Sequence, residues 1–340
     1  MPSARILEVR DLRVEYATSR GPVRAVDGVD LDVDEGEFVG VVGESGCGKS
    51  TMLFAIARLL SPPAGITGGS AVFHGENLVT MTETELNALR WKQYSVVMQS
   101  AMNALNPVLT IAEQFRDAMA AHGGTRVGER SVEVMKLVGI DPIHLKSYPH
   151  QLSGGMRQRA MIAMALLFTP DLVIMDEPTS ALDVVAQRSL MVQIKELQRK
   201  LGFAVIFVTH DMSLVSHFSD QLLVMYAGQV VEVGPTRQVF DSPAHPYSRG
   251  LLDAFPSIRG PRVQLLGIPG SPPDLGGPPS GCRFHPRCPV AEEQCPRNEP
   301  DLYQVGSAQA RCLLHAPDRA VLRAAAREAA REEAREEVSS

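Results

Sequence analysis

The chain has 340 residues, with 33 Lys and Arg against 39 Asp and Glu, and a formal net charge of −6. Its hydrophobic content of 44% and near-zero mean hydropathy are typical of a protein with one large core plus an appendage or a second small domain. The acidic balance excludes a protein that coats nucleic acid, because binding a phosphate backbone requires clustered Lys and Arg. The longest uncharged apolar run, residues 160–170, is far shorter than the roughly 20 residues that a membrane span requires.

Short strands separated by turns are predicted for residues 1–42, where apolar and polar positions alternate, most clearly from Ile6 to Tyr16. Residues 38–42 are instead continuously apolar, which is typical of a strand buried on both faces of a sheet. Residues 172–175 and 204–208 have the same character, and long stretches with helical spacing separate these runs. The pattern predicts an α/β fold, in which helices cover a parallel sheet.

A candidate phosphate-binding loop follows the first buried strand. Residues 43–50 read Gly-Glu-Ser-Gly-Cys-Gly-Lys-Ser, which fits G-x-x-x-x-G-K-[ST], and an apolar-periodic helix comes next. The glycines allow successive backbone N–H groups to face inward as an anion nest, and the helix N-terminus adds partial positive charge. Lys49 is expected to reach the β- and γ-phosphates of ATP, and the Ser50 hydroxyl to ligate Mg²⁺. The predicted ATP-binding residues here are Gly43, Glu44, Ser45, Gly46, Cys47, Gly48, Lys49, Ser50 and Thr51.

Polar residues also follow the two later buried strands. Asp176 and Glu177 end one of them, at the sheet edge where ligands of open α/β sheets gather. Asp176 is predicted to hold Mg²⁺, directly or through water, and Glu177 to orient and deprotonate the attacking water. The alternative is that these two acidic residues only cap the following helix. The presence of a phosphate-binding loop in the same chain makes this alternative less favoured. His210 follows the other strand and is a candidate γ-phosphate contact, although a lone histidine is more often structural.

The C-terminal quarter has a different composition. Prolines and glycines between residues 256 and 279 predict an extended connector, and Ala, Arg and Glu blocks at 318–340 favour an exposed helix or frayed tail. Four of the five cysteines lie between them, namely Cys282, Cys288, Cys295 and Cys312. The tight C-x₂₋₄-C pairs of structural zinc sites are absent. A 4Fe–4S cluster, zinc assisted by His285 or His315, and unligated thiols are the alternatives.

One heptapeptide indicates the family. Residues 152–158, Leu-Ser-Gly-Gly-Met-Arg-Gln, resemble the signature loop of ABC-type ATPases, and the resemblance extends over about residues 5–255. Its elements occur in the family's order, as Tyr16, the phosphate loop, Gln99, the signature, Asp176 with Glu177, Ser180 to Asp183, and His210. The resemblance implies a P-loop NTPase core with an antiparallel β flank and an inserted helical subdomain at about residues 83–165.

The resemblance also implies roles for individual residues. Tyr16 would stack on adenine; the alternative is that it is an ordinary aromatic residue of the sheet. Gln99 would sense Mg²⁺ and the attacking water, and Asp183 would link the two ATP sites. The family forms head-to-tail dimers, in which each ATP lies between one chain's phosphate loop and the other chain's signature. The signature residues that contact the partner's ATP are Ser153, Gly154, Gly155 and Gln158. The implied catalytic residues are Lys49, Gln99, Glu177 and His210, and the implied Mg²⁺ ligands are Ser50, Gln99 and Asp176.

A further resemblance narrows the branch. Residues 245–252, His-Pro-Tyr-Ser-Arg-Gly-Leu-Leu, resemble the ATPases of oligopeptide- and dipeptide-type importers, and the cysteine segment resembles the same group. Its matching cysteines carry a 4Fe–4S cluster, so the resemblance implies such a cluster here. The implied partners are a second, non-identical ABC ATPase, two membrane permease subunits and an extracytoplasmic binding protein, with no nucleic acid. The chain is expected at the cytoplasmic face of the membrane, where it powers the import of oligopeptides or related oligomers.

Other functions are open at this point. Residues 100–107 depart from the pattern of many relatives, and the branch also carries oligosaccharides, so a saccharide importer is the first alternative. A soluble ABC ATPase acting on nucleic acid or ribosomes is disfavoured by the acidic balance. A metal sensor with a vestigial ATPase is disfavoured by the intact catalytic residues. We predict a nucleotide-binding domain at 1–255, a connector and cysteine module at 256–317, and a charged tail at 318–340.

Overall fold

The computed structural model describes residues 4–99, 104–180, 182–254 and 267–319, with residues 321, 322 and 325. The strands are β1 (Arg5–Thr18), β2 (Gly21–Asp34), β3 (Phe38–Val42), β4 (Ala64–Phe73), β5 (Glu76–Asn77), β6 (Tyr94–Val97), β7 (Leu172–Asp176), β8 (Ala204–Val208), β9 (Gln221–Tyr226), β10 (Gln229–Pro235), β11 (Tyr303–Val305) and β12 (Ala308–Ala310). The helices are α1 (Lys49–Ile56), α2 (Glu83–Leu89), α3 (Ile111–Ala121), α4 (Val127–Leu137), α5 (Gly154–Ala165), α6 (Val184–Leu201), α7 (Met212–Phe218), α8 (Thr236–Asp241) and α9 (Pro246–Asp253).

The larger sheet has the strand order β11-β12-β10-β9-β3-β8-β7-β6. Strands β9, β3, β8, β7 and β6 are mutually parallel, whereas β10, β12 and β11 continue the sheet in antiparallel pairs. All residues of β3, β7 and β8 are buried, which explains why their sequences are continuously apolar. Because these three strands are parallel neighbours, their carboxyl ends lie side by side at one edge, as the sequence pattern predicts.

The smaller sheet is the antiparallel flank, with the order β2-β1-β4-β5. Its core face includes Val9 and Leu12, which a strict two-residue alternation would place on opposite faces. A register shift between these two residues, with Asp11 at φ +45°, keeps both of them inward. They pack in one cluster with α1 and with one face of the larger sheet. The phosphate-loop helix is therefore enclosed between the two sheets.

The region from residue 83 is not helical throughout. Helix α2 begins after Thr82, which forms a reciprocal capping box with Glu85. Residues 94–97 then form β6, the edge strand that pairs with β7 in the larger sheet. The helices α3, α4 and α5 follow only after this strand, so the segment with helical spacing that begins at residue 83 contains one strand of the larger sheet. A short apolar strand cannot be distinguished from helical spacing by periodicity alone.

The C-terminal segment contributes two strands to the larger sheet. Strand β12 pairs with β10, and β11 pairs with β12. Gly234 makes this approach possible, since an added Cβ would lie 2.5 Å from the Cβ of Ala308. Residues 255–266 of the predicted connector and nearly all of the predicted tail lie outside the described residues. In the part of the chain that is described, no helix has the length and apolar character to cross a bilayer.

Candidate nucleotide-binding site

The phosphate-binding loop connects β3 to α1, and its backbone packs closely on neighbouring strands. A Cβ at Gly43, where φ is +152°, would lie 2.2 Å from the carbonyl oxygen of Met225. A Cβ at Gly48, where φ is +103°, would lie 2.1 Å from the carbonyl oxygen of Ala25. Both positions therefore require glycine for their conformation and for the available space. The result is a loop whose N–H directions are fixed by β9 on one side and β2 on the other.

Lys49 is buried at the first position of α1. Its Nζ donates to the carbonyl oxygens of Gly43, at 2.8 Å, and Glu44, at 2.9 Å. The ammonium group is thus held by neutral acceptors of the loop itself. Such a lysine is available to a phosphate, because an anionic oxygen is a stronger partner than a neutral carbonyl.

Ser50 and Asp176 are far apart in sequence but adjacent in the structure. The Ser50 hydroxyl donates to Oδ1 of Asp176 at 2.9 Å. Burial raises the pKa of Asp176, and the hydrogen bond from Ser50 partly opposes that shift. A hydroxyl and a buried carboxylate oxygen in contact are ligands of the kind that Mg²⁺ takes beside a triphosphate. The structure thus brings together two of the three predicted magnesium ligands.

The third ligand, Gln99, and His210 both lie against Glu177. Gln99 Nε2 donates to Oε2 of Glu177 at 3.1 Å, and His210 Nδ1 lies 3.5 Å from Oε1. These residues follow β6, β7 and β8, whose carboxyl ends are neighbours in the sheet. Glu177 has φ +45°, an uncommon conformation for a non-glycine residue that is typical of functional sites. The side chain of His210 is 68% exposed, so it is accessible to a bound anion.

A cavity of about 490 Å³ lies between the phosphate loop, Gln99 and Glu177, and its volume is suitable for a nucleotide. Its lining residues are Tyr16, Thr18, Val23, Ala25, Ser45, Gly46, Gly48, Lys49, Ser50, Thr51, Gln99, Glu177 and Leu275. The Tyr16 hydroxyl and Thr51 Oγ1 lie 3.2 Å apart, which places the tyrosine ring at one wall. Leu275 was not predicted, because a leucine in a Pro/Gly-rich connector gives no signal of the tertiary contact that brings it here.

Comparisons with known families agree with this geometry. The family described as ABC transporter matches residues 26–180, and the family described as oligopeptide/dipeptide transporter, C-terminal region, matches residues 231–295. A third match, to AAA domain, putative AbiEii toxin, Type IV TA system, covers residues 145–216.

Curated relatives align over most of the chain. The oligopeptide transport ATP-binding protein OppD of Salmonella typhimurium is 46% identical over 91% of this chain and 93% of its own length. The dipeptide transport ATP-binding protein DppD of Caldanaerobacter subterraneus subsp. tengcongensis is 42% identical over 92% of this chain and 98% of its own length. The chain belongs to the ATP-binding subunits of ABC transporters, in their oligopeptide and dipeptide branch.

Solved structures agree with the family. A dimeric bacterial ABC transporter cassette superposes with a TM-score of 0.61 at 30% identity, covering 68% of this chain and 99% of that cassette. The fold is thus that of a P-loop ABC ATPase, and the protein is an ATP hydrolase coupled to transport.

The ABC signature lies at the start of α5. Ser153 is the N-cap and accepts a hydrogen bond from the backbone N–H of Met156 at 3.2 Å, and Gly154 and Gly155 begin the helix. None of these residues lines the cavity described above. Gln158 is only 4% exposed, so in this chain its side chain lies inside the protein. Asp183 is exposed and caps α6, and the neighbouring Ala181 lies outside the described residues.

The His-Pro-Tyr segment of this ABC ATPase has a structural role. His245 is the N-cap of α9, where its Nδ1 accepts from the backbone N–H of Tyr247 at 3.0 Å, and complete burial lowers its pKa to about 3. Pro246 occupies the first turn, which suits a residue without an N–H. The Tyr247 hydroxyl accepts from the backbone N–H of Glu44 at 2.9 Å. The motif thus connects α9 directly to the phosphate-binding loop.

The cysteine segment brings its thiols near one another. The Cys282 N–H donates to the carbonyl oxygen of Cys295 at 2.8 Å, and burial raises the pKa of the Cys282 thiol to about 11. Burial, with a smaller contribution from the other three thiols, raises the pKa of Cys312 to about 12. Among the described residues, no three His, Cys, Asp or Glu side chains are arranged to hold a metal ion. As placed, the cysteines therefore do not form a metal site.

The two histidines considered for zinc have backbone partners. His285 Nδ1 lies 2.9 Å from the carbonyl oxygen of Cys282, and His315 Nε2 lies 2.9 Å from that of Ala244. Each of these ring nitrogens therefore carries the proton and donates to the carbonyl.

Proposed function

We propose that this ABC ATPase powers the import of oligopeptides or dipeptides through a membrane permease. The observation that carries the proposal is the C-terminal region at residues 231–295, which matches the oligopeptide/dipeptide family and is built into the sheet beside the nucleotide site. This chain aligns with nearly the whole length of relatives that are named as dipeptide and oligopeptide transport ATP-binding proteins. Oligosaccharide import within the same branch is the alternative cargo.

We propose the following division of work in the site. The nest of backbone N–H groups and Lys49 bind the phosphates, which is supported by the fixed loop geometry and the position of the ammonium group. Ser50 and Asp176 are proposed to hold Mg²⁺, which is supported by the contact between their side chains; the ion would neutralise charge at the β- and γ-phosphates when bound.

Glu177 is proposed as the general base. It accepts a proton from the attacking water, while Gln99 orients the carboxylate and the water through its amide. His210 is proposed to contact the γ-phosphate, which is supported by its position beside the other oxygen of the Glu177 carboxylate. Tyr16 is proposed to contact adenine, because it lines the wall of the cavity beside Thr51.

A second ATPase subunit is proposed to complete each site. The supporting observation is that Ser153, Gly154 and Gly155 lie outside the cavity that the phosphate loop forms in the same chain. Their capped helix start can bind an anion that another chain presents. Asp183 is proposed to link the two sites, and an extracytoplasmic binding protein to deliver the cargo.

The permease is proposed to dock beside Gln99. Met98 is 48% exposed, and it borders an apolar cavity of about 210 Å³ together with Leu59, Trp91 and Met164. Helices α3 to α5, which follow β6, are proposed as the helical subdomain that transmits the change on ATP binding. This arrangement would hold the chain at the cytoplasmic face of the membrane.

The test is transport by the complete complex in proteoliposomes, with Glu177→Gln as the variant. Loss of a general base slows a proton-transfer step by about 10²–10⁴-fold, so we expect ATP hydrolysis and peptide uptake to fall together while bound ATP is retained. Glu76→Gln, an exposed residue on β5, is the matched control and is expected to behave as the wild type. Uptake of an oligosaccharide but not of peptides would contradict the cargo, and unchanged hydrolysis would contradict the role of Glu177.

We also propose a 4Fe–4S cluster at Cys282, Cys288, Cys295 and Cys312, with zinc as the alternative. Support comes from the position of the four cysteines on one segment, where burial and, to a smaller extent, the other three thiols raise the pKa of Cys312. When bound, such a cluster would cross-link a segment that has little apolar core of its own. Because the described thiols are not in a ligating arrangement, binding requires them to move together.

A further inference from the structure

Glu44, the second residue of the phosphate-binding loop, is held from three directions. Its carboxylate accepts two hydrogen bonds from Arg287, at 2.7 Å and 2.9 Å. Its backbone N–H donates to the Tyr247 hydroxyl at 2.9 Å, and its carbonyl oxygen accepts from Lys49 Nζ at 2.9 Å. Two of these three partners come from the C-terminal third of the chain.

Arg287 is itself held in one position. Its side chain is only 6% exposed, and a buried guanidinium is costly unless its N–H groups have acceptors. Besides Glu44, its Nε donates to the carbonyl oxygen of Pro269 at 2.8 Å, and Nη1 donates to the Tyr226 hydroxyl at 3.3 Å. The guanidinium also lies over the Tyr226 ring, 5.7 Å from its centre. A bidentate pair in this setting fixes direction as well as distance.

The segment that carries Arg287 is attached to the core at a second point. Arg283 forms a buried ion pair with Asp27 of β2 and donates to the carbonyl oxygen of Ala227. Both arginines adjoin cysteines of the C-terminal segment, Arg283 after Cys282 and Arg287 before Cys288. The turn between the two arginines is therefore attached to the two strands that border the phosphate loop, to β2 through Asp27 and to β9 through Tyr226.

We propose that Arg287 is a positioning residue for the phosphate-binding loop, and that through it the C-terminal segment sets the affinity for ATP. The inference rests on the proposed nucleotide role of this loop. An anion nest binds well only when its N–H groups are already oriented, and the ion pair holds the loop at its second residue. Without Arg287, the Glu44 carboxylate would also be an unpaired negative charge close to the triphosphate.

The experiment is a double-mutant cycle on the full-length chain, with Arg287→Met, Glu44→Gln and both together. A fluorescent N-methylanthraniloyl ATP with Mg²⁺ is titrated into each protein, and thermal unfolding is recorded alongside. The loss of a charge-assisted bidentate contact predicts about tenfold weaker binding for Arg287→Met. In the Glu44→Gln background, the same change is expected to weaken binding by no more than about twofold, because its partner is already removed.

Two further variants separate positioning from general stability. Arg287→Lys keeps the charge but cannot form both hydrogen bonds, so an intermediate loss of about threefold is expected, and it serves in place of Arg287→Met should that variant not fold. Arg311→Met is the control, since Arg311 is also partly buried in the C-terminal segment and donates to the carbonyl oxygens of Val230 and Pro300. It is expected to lower the unfolding temperature without changing ATP affinity.

Three results would overturn the inference. Wild-type affinity in both Arg287 variants would do so, as would an equal loss with and without Glu44→Gln, or an equal loss in Arg311→Met. Absence of ATP binding by the wild-type chain would instead contradict the proposed function, and the inference would fall with it.

Discussion

At the scale of single residues, His245 shows how burial converts an ionisable group into a neutral cap. Its ring accepts a hydrogen bond through Nδ1, which only the neutral imidazole can do. Burial is the main cause of its pKa of about 3, and the nearby His315 lowers it further. Two N–H groups just before α9, of Ala244 and His245, bond to the buried carboxylate of Glu232, so the start of the helix is fixed by polar contacts.

This cap predicts a pH dependence of stability. The folded pKa lies below the ordinary value of 6.5, so the unfolded chain binds a proton that the folded chain does not. The contribution is therefore fully present above pH 6.5 and is lost as the pH falls from there towards 3, at up to about 1.4 kcal/mol per pH unit.

The measurement is urea unfolding between pH 5.0 and 6.5, with His245→Asn as the variant. Asparagine can cap the helix through its amide oxygen but does not titrate, so we expect its stability to fall less over this range. Equal pH dependence in the two proteins would show that folding leaves the pKa of His245 unchanged, which would contradict the prediction.

The backbone role of Glu44 follows from the local sequence, whereas its side-chain contact does not. The phosphate-loop pattern identifies its backbone as an ATP contact, because that pattern depends on local sequence. Its side chain binds Arg287, 243 positions later in the chain, and no local pattern contains that contact.

At the scale of elements, the antiparallel extension of the larger sheet depends on one glycine. Gly234 in β10 faces Ala308 in β12, and an added Cβ would lie 2.8 Å from the Cα of Ala308 as well as 2.5 Å from its Cβ. Because the Cα belongs to the backbone, the strands would have to separate to relieve this contact.

We therefore expect Gly234→Ala to destabilise the protein by about 1–3 kcal/mol, the usual cost of overpacking. Gly65→Ala in β4 is the matched control, since a Cβ there has no atom within 4 Å, and it should be neutral or slightly stabilising. Chemical unfolding of the full-length variants measures both. Equal free energies of unfolding for the two variants would contradict this prediction, because they would show that β12 moves away from the added methyl group without destabilising the protein.

At the scale of the whole molecule, both ends of the chain contribute to the nucleotide site. The flank supplies Tyr16, and the segment after residue 266 supplies Leu275 to the cavity and Arg287 to the loop. The cysteine segment is thus connected to the site in the same chain. A metal or cluster that links these cysteines would therefore bind in the same segment as Arg287, which contacts the phosphate loop at Glu44.

The proposed cluster gives a prediction at this scale. Chain purified under anaerobic conditions should contain about four irons and four acid-labile sulfides, because each iron of a 4Fe–4S cluster takes one thiolate. Cys288→Ser should lose most of the iron, whereas Cys47→Ser, which changes a buried cysteine of the phosphate loop, should retain it. Elemental analysis distinguishes zinc. If the chain binds neither iron nor zinc after anaerobic reconstitution, the proposed cluster is wrong. The cysteine segment is then held only by packing and by the contacts of Arg283 and Arg287.

The sequence by itself identified the family, the three buried strands and most of the residues that we propose for the nucleotide site. Phosphate binding by a glycine-rich loop depends on local conformation, and acidic residues at strand ends are marked by the apolar runs before them. The phosphate-loop and strand-end patterns predicted that Ser50 and Asp176 belong to one site, and the family resemblance implied the same for Gln99 and Glu177. The structure places each pair in hydrogen-bond contact.

Only the tertiary structure decided how the C-terminal quarter is attached. The predicted boundary at residue 256 rested on a local change in proline, glycine and cysteine content, which says nothing about distant partners. The pairing of β12 with β10 and the contact of Arg287 with Glu44 join positions that are far apart in the chain, by 243 residues in the second case. Such contacts depend on the shape and charge of surfaces that exist only after the core has folded, so no local pattern specifies them.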